Sequence, residues 1–188
     1  MNELELPIVD LLPDNESAVE QCATLLYEVF MEHHPAAWPN MESARLEVEE
    51  FFAEGRISRI AVDGDGTVIG WVGAIRAYDG FAWELHPLVV RPERQRRGLG
   101  RRLVSDIEDR VRERGGVTIW LGTDDENNQT TLGGIELYDD VFGHLGRIRN
   151  LNGHPYEFYR KVGFTIVGVL PDANGLGKPD IFMAKRVG

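Results

Sequence analysis

The chain contains one cysteine, Cys22. A single thiol cannot form an internal disulfide, so a disulfide framework is excluded and a reducing compartment, the cytoplasm, is expected. Cys22 lies in an apolar helical pattern, which predicts a packed thiol rather than a nucleophile. Long apolar runs are also missing. None reaches the roughly 20 residues that span a bilayer, so no membrane partner is expected. Met1-Asn2-Glu3-Leu4-Glu5 is acidic where a secretory signal would be basic. Bases are scarce in the first 54 residues, where Arg45 stands alone against 13 acids. Over the whole chain 31 acids outweigh 20 bases, for a formal net charge of −11. That balance argues against nucleic acid, whose backbone the acidic half would repel, and suits a cationic partner. His144 and His154 lack companions at metal-ligand spacing, so no metal is expected.

What is present is a normal apolar fraction, 43% of 188 residues, enough for a sizeable core in a single domain over 1–188. Positive charge is concentrated, with nine arginines between residues 91 and 114. There the apolar run Leu88-Val89-Val90 ends in Arg91-Pro92-Glu93-Arg94-Gln95-Arg96-Arg97-Gly98-Leu99-Gly100. An amphipathic helix follows, with Leu99, Leu103, Ile107 and Val111 on one face. A helix start leaves backbone N–H groups unpaired and favours negative charge. Glycines admit a phosphate close to the backbone, and arginines add charge-assisted contacts. The segment therefore reads as a pyrophosphate cradle. It lacks the third glycine of a dinucleotide fingerprint and the Lys-Ser/Thr of a P-loop.

Periodicity predicts a first strand over 4–12, then a helix capped by Asn15 or Ser17 and running to about His33. The connector His33-His34-Pro35-Ala36-Ala37-Trp38-Pro39 leads to a second helix, Met41 to Glu54, capped by Asn40. Strands follow at 57–62 and 67–78, joined through Asp63-Gly64-Asp65-Gly66, and at 82–90. Pro87 removes a ladder donor from the last of these and predicts a bulge or splay. Beyond the cradle helix come a strand at 117–121, helices at 135–149 and 155–162, and strands at 164–170 and 181–185. Helices on both faces of a mixed sheet make a three-layer α/β/α domain.

Val90-Arg91-Pro92 with Gln95-Arg96-Arg97-Gly98-Leu99-Gly100 resembles the acetyl-CoA signature of the GNAT superfamily of N-acetyltransferases, whose element order the whole chain shares. The resemblance implies a GNAT-like fold with a splayed central sheet and acetyl-CoA as co-substrate. Tyr78 to Val90, Leu121-Gly122-Thr123-Asp124-Asp125-Glu126, His154 to Lys161 and Gly168 to Ile181 resemble the aminoglycoside 6'-N-acetyltransferases. That likeness implies an aminoglycoside acceptor, antibiotic resistance and a homodimer. A polyamine, another small amine or a protein N-terminus are alternative acceptors, and a non-catalytic acyl-CoA sensor is a different class of reading.

Glu84 and His86 alternate along one strand and so share a face. Either can take a proton from an ammonium, directly or through water. By resemblance Glu84 is the base, with His86 beside it, and the Leu88 N–H is the oxyanion donor to the thioester. Leu88, Val89 and Val90 line the pantetheine, and Gln95, Arg96, Arg97, Gly98, Leu99, Gly100 and Arg101 hold the pyrophosphate. Asn152 is the expected pantetheine-binding asparagine, and Tyr159 the expected donor of a proton to the thiolate. For the acceptor, Asp124 and Asp125 are candidates, with helix capping as their other reading. Trp38, Tyr78 and Asp180 are further candidates, each equally open to packing or turn roles. No Ser/His/Asp or Cys/His set stands out, so direct transfer is expected rather than an acyl-enzyme. The stretch 124–153 is longer than the family requires. It is expected to cover the substrate or to bury against a second subunit.

Overall fold

The computed structural model describes residues 6–33 and 37–188; the predicted strand's start at 4–5 and the connector at 34–36 lie outside them. The chain forms two compact units, one running to Val117 and including Val187–Gly188, the other Thr118–Arg186.

The first unit holds strands β1 (Ile8–Asp10), β2 (Arg56–Val62), β3 (Val68–Ala77) and β4 (Ala82–Val90). Its helices are α1 (Glu16–His33), α2 (Met41–Glu50) and α3 (Leu99–Glu113). The four strands are antiparallel in the order β1-β2-β3-β4. Asn15 caps α1 by accepting from the Ala18 N–H at 3.1 Å. Asn40 caps α2 by accepting from the Ser43 N–H, while the Ser43 side chain returns a bond to the Asn40 backbone. The second helix stops four residues before its expected end, at Phe51, which turns into the core. The hairpin turn at Asp63 closes as expected, its carboxylate accepting from the Asp65 and Thr67 N–H groups.

Trp71 and Ile60 pair across β3 and β2 and pack with Val89 against Cys22, Leu25 and Leu26 of α1 and Ala44 and Val48 of α2. The next residue, Gly70, points to the opposite face. A Cβ there would lie 2.9 Å from a Leu103 methyl, so the missing side chain lets α3 lie close on the sheet. The predicted stripe Leu99, Leu103, Ile107 and Val111 is fully buried. On this face the Arg59 guanidinium bonds both Asp106 oxygens, at 2.7 and 3.0 Å, and tethers α3 to β2. Helices thus cover both faces of this sheet, as the sequence pattern requires.

The second unit holds β5 (Thr118–Asp124), α4 (Val141–Gly146), α5 (Tyr156–Lys161), β6 (Thr165–Leu170) and β7 (Asp180–Arg186), its strands antiparallel in the order β5-β7-β6. The long helix expected over 135–149 does not form. Only Val141–Gly146 is helical, and Asp140 starts it by accepting from the Gly143 N–H. Of the apolar face read there, Ile135 is exposed, Leu137 is buried outside any helix, and Val141, Leu145 and Ile148 are partly buried, while Gly146 ends the short helix.

Candidate active site

Pro87 does produce a bulge. Val72 pairs with Leu88 and Ala74 with Leu85, so two residues of β4, His86 and Pro87, stand opposite Gly73 alone. Glu84 and His86 share a face, as their spacing requires. Beyond the bulge the alternation inverts, and the Leu88 side chain lies on the other face with Val72. Gly73 makes the bulge possible, because a Cβ there would overlap the His86 carbonyl oxygen and the Phe51 ring.

The face carrying Glu84 and His86 holds a second carboxylate, Glu47 of α2, which the sequence reading passed over. Its Oε1 lies 3.4 Å from His86 Nε2, and its Oε2 accepts from Trp38 Nε1 at 3.3 Å. The signal was available: Ala44, Glu47, Val48 and Phe51 fall at helical i, i+3, i+4 and i+7, so one acid interrupts an apolar stripe. Trp38 is 8% exposed, its ring edge-on to Phe30 at 4.6 Å and 5.9 Å from the His86 ring. It backs His86 from within the core and is not an open platform for a sugar. Burial raises the Glu84 carboxyl above the usual range, with the Glu47 charge pushing the same way and His86 and Arg56 opposing. Burial also pushes the Glu47 carboxyl upward, but its bond to His86, with the His86, Trp38 and Arg56 contributions, leaves it below the usual range.

Downstream of β4, the Arg91 guanidinium bonds the Val68 carbonyl at 2.7 Å and Gln95 Nε2 bonds the Val90 carbonyl at 3.1 Å, fixing the turn to the sheet. Gln95, Arg96, Arg97, Gly98 and Arg101 are exposed, while the Leu99 side chain is buried beside the partly buried Gly100. Gly98 caps α3 at φ 93° with no side chain bonded to the first turn. The first helical bond is from the Arg102 N–H to the Gly98 carbonyl, which leaves the earlier N–H groups for an anion. Tyr78 is 78% exposed at the β3–β4 turn, beside the exposed Phe81, which the sequence reading did not single out.

In the second unit, Tyr159 is partly buried, edge-on to Phe158 and Phe164. Burial pushes its hydroxyl pKa up to about 12, so the resting phenol is protonated near neutral pH. The loop before α5 is closed by Asn150, which accepts from the His154 N–H and donates to the His154 carbonyl, both at 2.9 Å. Asn152 is exposed on that loop. His154 is buried. It donates from Nε2 to the Asp124 carbonyl at 3.0 Å and accepts at Nδ1 from the Tyr156 N–H at 3.2 Å, which fixes one neutral tautomer. Asp125 is fully buried. Its carboxylate accepts from the Gln129 N–H, the Thr130 N–H and the Thr130 hydroxyl. Those bonds make it a loop-building group with no face for a ligand, which corrects its expected place at the acceptor. Asp124 accepts from Asn174 and pairs across the sheet with Asp180. Among the described residues, no group of three or more His, Cys, Asp or Glu is placed to hold a metal.

The sequence pattern of the acetyltransferase (GNAT) family matches residues 23–144. Among solved structures, an aminoglycoside 6'-N-acetyltransferase complexed with coenzyme A is 43% identical, over 97% of this chain and 98% of its own, with a TM-score of 0.88. The aminoglycoside 6'-N-acetyltransferase from Enterococcus faecium is also 43% identical, with the same coverage and a TM-score of 0.86. An aminoglycoside 6'-acetyltransferase type Ii is 38% identical over 97% and 98%, with a TM-score of 0.73. No curated protein sequence matches the chain.

Proposed function

The chain belongs to the GNAT family of acetyltransferases, and we propose that it moves the acetyl group of acetyl-CoA directly to the 6'-amine of an aminoglycoside. The observation that carries this reading is the Glu84 carboxylate. It is half-buried and raised in pKa, and it lies on the face of His86 one bulge upstream of the cradle. A base of that kind suits an ammonium acceptor near neutral pH. The choice of aminoglycoside is supported by relatives of that activity matching nearly the full chain, and by the acidic first helices, which would steer a polycation.

In this reading the N–H groups and arginines of Gln95–Arg101 hold the pyrophosphate, while Val89, Val90 and Asn152 meet the pantetheine. The Leu88 N–H polarises the thioester carbonyl. Glu84, directly or through water at His86, takes the ammonium proton. The amine nitrogen then bonds the acetyl carbon as the carbon–sulfur bond breaks, the nitrogen gives up its second proton to solvent, and Tyr159 protonates the departing thiolate and regains its proton from solvent. Asp124, Asp180 and Tyr78 are assigned to the acceptor and Trp38 to the wall behind His86. We further assign the chain to the cytoplasm as a homodimer. Sedimentation at several concentrations tests the dimer.

Incubation with acetyl-CoA and kanamycin, tobramycin or spermidine, following CoA release, tests the acceptor. Release with the aminoglycosides is expected. Release with spermidine alone would move the acceptor to another amine. CoA binding without release with any amine would favour an acyl-CoA sensor.

A further inference from the structure

We propose that Glu47 is a positioning residue for acetyl transfer, holding His86 as the Nε2–H tautomer so that its Nδ1 lone pair can hold the water that relays the ammonium proton to Glu84. The inference rests on the assignment of Glu84 and His86 to the reacting face, and it adds a residue from a different element. A carboxylate has no proton to donate, so the 3.4 Å contact between Glu47 Oε1 and His86 Nε2 places the proton on that nitrogen. A neutral ring then carries its lone pair on Nδ1. Glu47 is itself fixed, because its second oxygen accepts from the Trp38 indole, which packs edge-on against Phe30. The imidazole is flanked by Trp38 at 5.9 Å and by the stacked Phe51 ring at 6.5 Å. Three residues thus hold one ring. A part-buried acid within the apolar stripe of α2 is expensive to keep unless it is partnered, and both of its oxygens are engaged.

The charged groups facing His86 are Glu47 from α2, Glu84 from its own strand and Arg56 from β2, which acts on both carboxylates. When Glu84 takes the ammonium proton through an intervening water, the His86 Nδ1 lone pair accepts a hydrogen bond from that water and holds it in place. Glu47 also keeps a second negative charge near Glu84, which holds Glu84 a readier base.

Glu47→Gln tests the assignment. The amide offers one carbonyl oxygen where two donors, His86 and Trp38, need acceptors. We expect kcat to fall about tenfold, less than the hundredfold or more of losing a general base outright, with acetyl-CoA affinity unchanged. The acid limb of the pH profile should move to lower pH, because Glu84 loses a like-charged neighbour. In a His86→Gln background Glu47→Gln should lower kcat no further, while the shift of the acid limb through Glu84 remains. Trp38→Phe, which keeps the Glu47 charge but frees its orientation, should give an intermediate loss and covers the case in which Glu47→Gln folds poorly. Independently of turnover, the ¹⁵N spectrum of the apo protein should show His86 as Nε2–H in the wild type and as a tautomer mixture in Glu47→Gln. Unchanged kcat, pH limb and tautomer would overturn the proposal. Should the wild type acetylate no aminoglycoside, the acceptor assignment fails while the tautomer measurement still decides the role of Glu47.

Discussion

Gly73 lies directly beneath His86, where any Cβ would run into the His86 carbonyl oxygen and the Phe51 ring. Neither neighbour is the loose end of a flexible side chain: one is the backbone of the bulge, the other a buried ring. Gly73→Ala is expected to destabilise the protein by about 1–3 kcal/mol, the usual cost of forcing an extra methyl into a packed site. It should also shift His86 and lower kcat while leaving acetyl-CoA affinity intact, since the cradle lies downstream. Urea unfolding and steady-state kinetics check the two effects together.

Gly98 is the contrasting glycine. A Cβ there meets nothing within 4 Å, but its φ of 93° lies in the region that favours glycine. Gly98→Ala is expected to cost about 1–2 kcal/mol of backbone strain alone. Relief of that strain would rotate the first N–H groups of α3, so KM for acetyl-CoA should rise several-fold with kcat largely retained.

Much of this was legible because it is local. Leu99, Leu103, Ile107 and Val111 announce a buried helix face, Asn15 and Asn40 announce caps, and Pro87 announces a break in the ladder. The alternation of Glu84 and His86 fixed their common face. What the bulge does to Leu88 depends on Gly73 in the facing strand, which no local pattern reveals. Glu47 was hidden among the acids of α2, and its partners, Trp38 and His86, are nine and 39 residues away in sequence. The apolar spacing of Ile135, Leu137, Val141, Leu145 and Ile148 suggested one helix. Glycines at 143 and 146 and a cap at Asp140 outweighed it, because spacing alone does not offset poor helix formers in an exposed segment.

Asp124 and Asp125 are neighbours in sequence with opposite environments. Asp125→Ala would strand the Gln129 and Thr130 N–H groups and the Thr130 hydroxyl in a buried loop. A loss of about 1–3 kcal/mol for such unsatisfied donors is expected. Asp124 is partly exposed and holds Asn174. Asp124→Asn should leave the unfolding midpoint nearly unchanged and raise KM for the aminoglycoside, through loss of a negative charge facing a cation. Equal effects of the two on stability would contradict the division of roles drawn from their burial.

Glu84 gives the sharpest pH prediction. Burial raises its carboxyl pKa, so the charged form is less favourable in the folded protein than in the unfolded chain. Folding therefore loses stability to this group at neutral pH, and the loss disappears as pH falls through the raised pKa. The same ionisation is the one the reaction needs. The acid limb of kcat/KM should lie above the ordinary glutamate range of about 4.3, and Glu84→Gln should abolish the limb along with most of the activity. Thermal unfolding of Glu84→Gln at pH 7 should occur at or above the wild-type temperature, and the difference should shrink in acid. A variant that is inactive but less stable at pH 7 would mean that Glu84 is a structural anchor. A limb that persists in the variant would transfer the base to His86, held by Glu47.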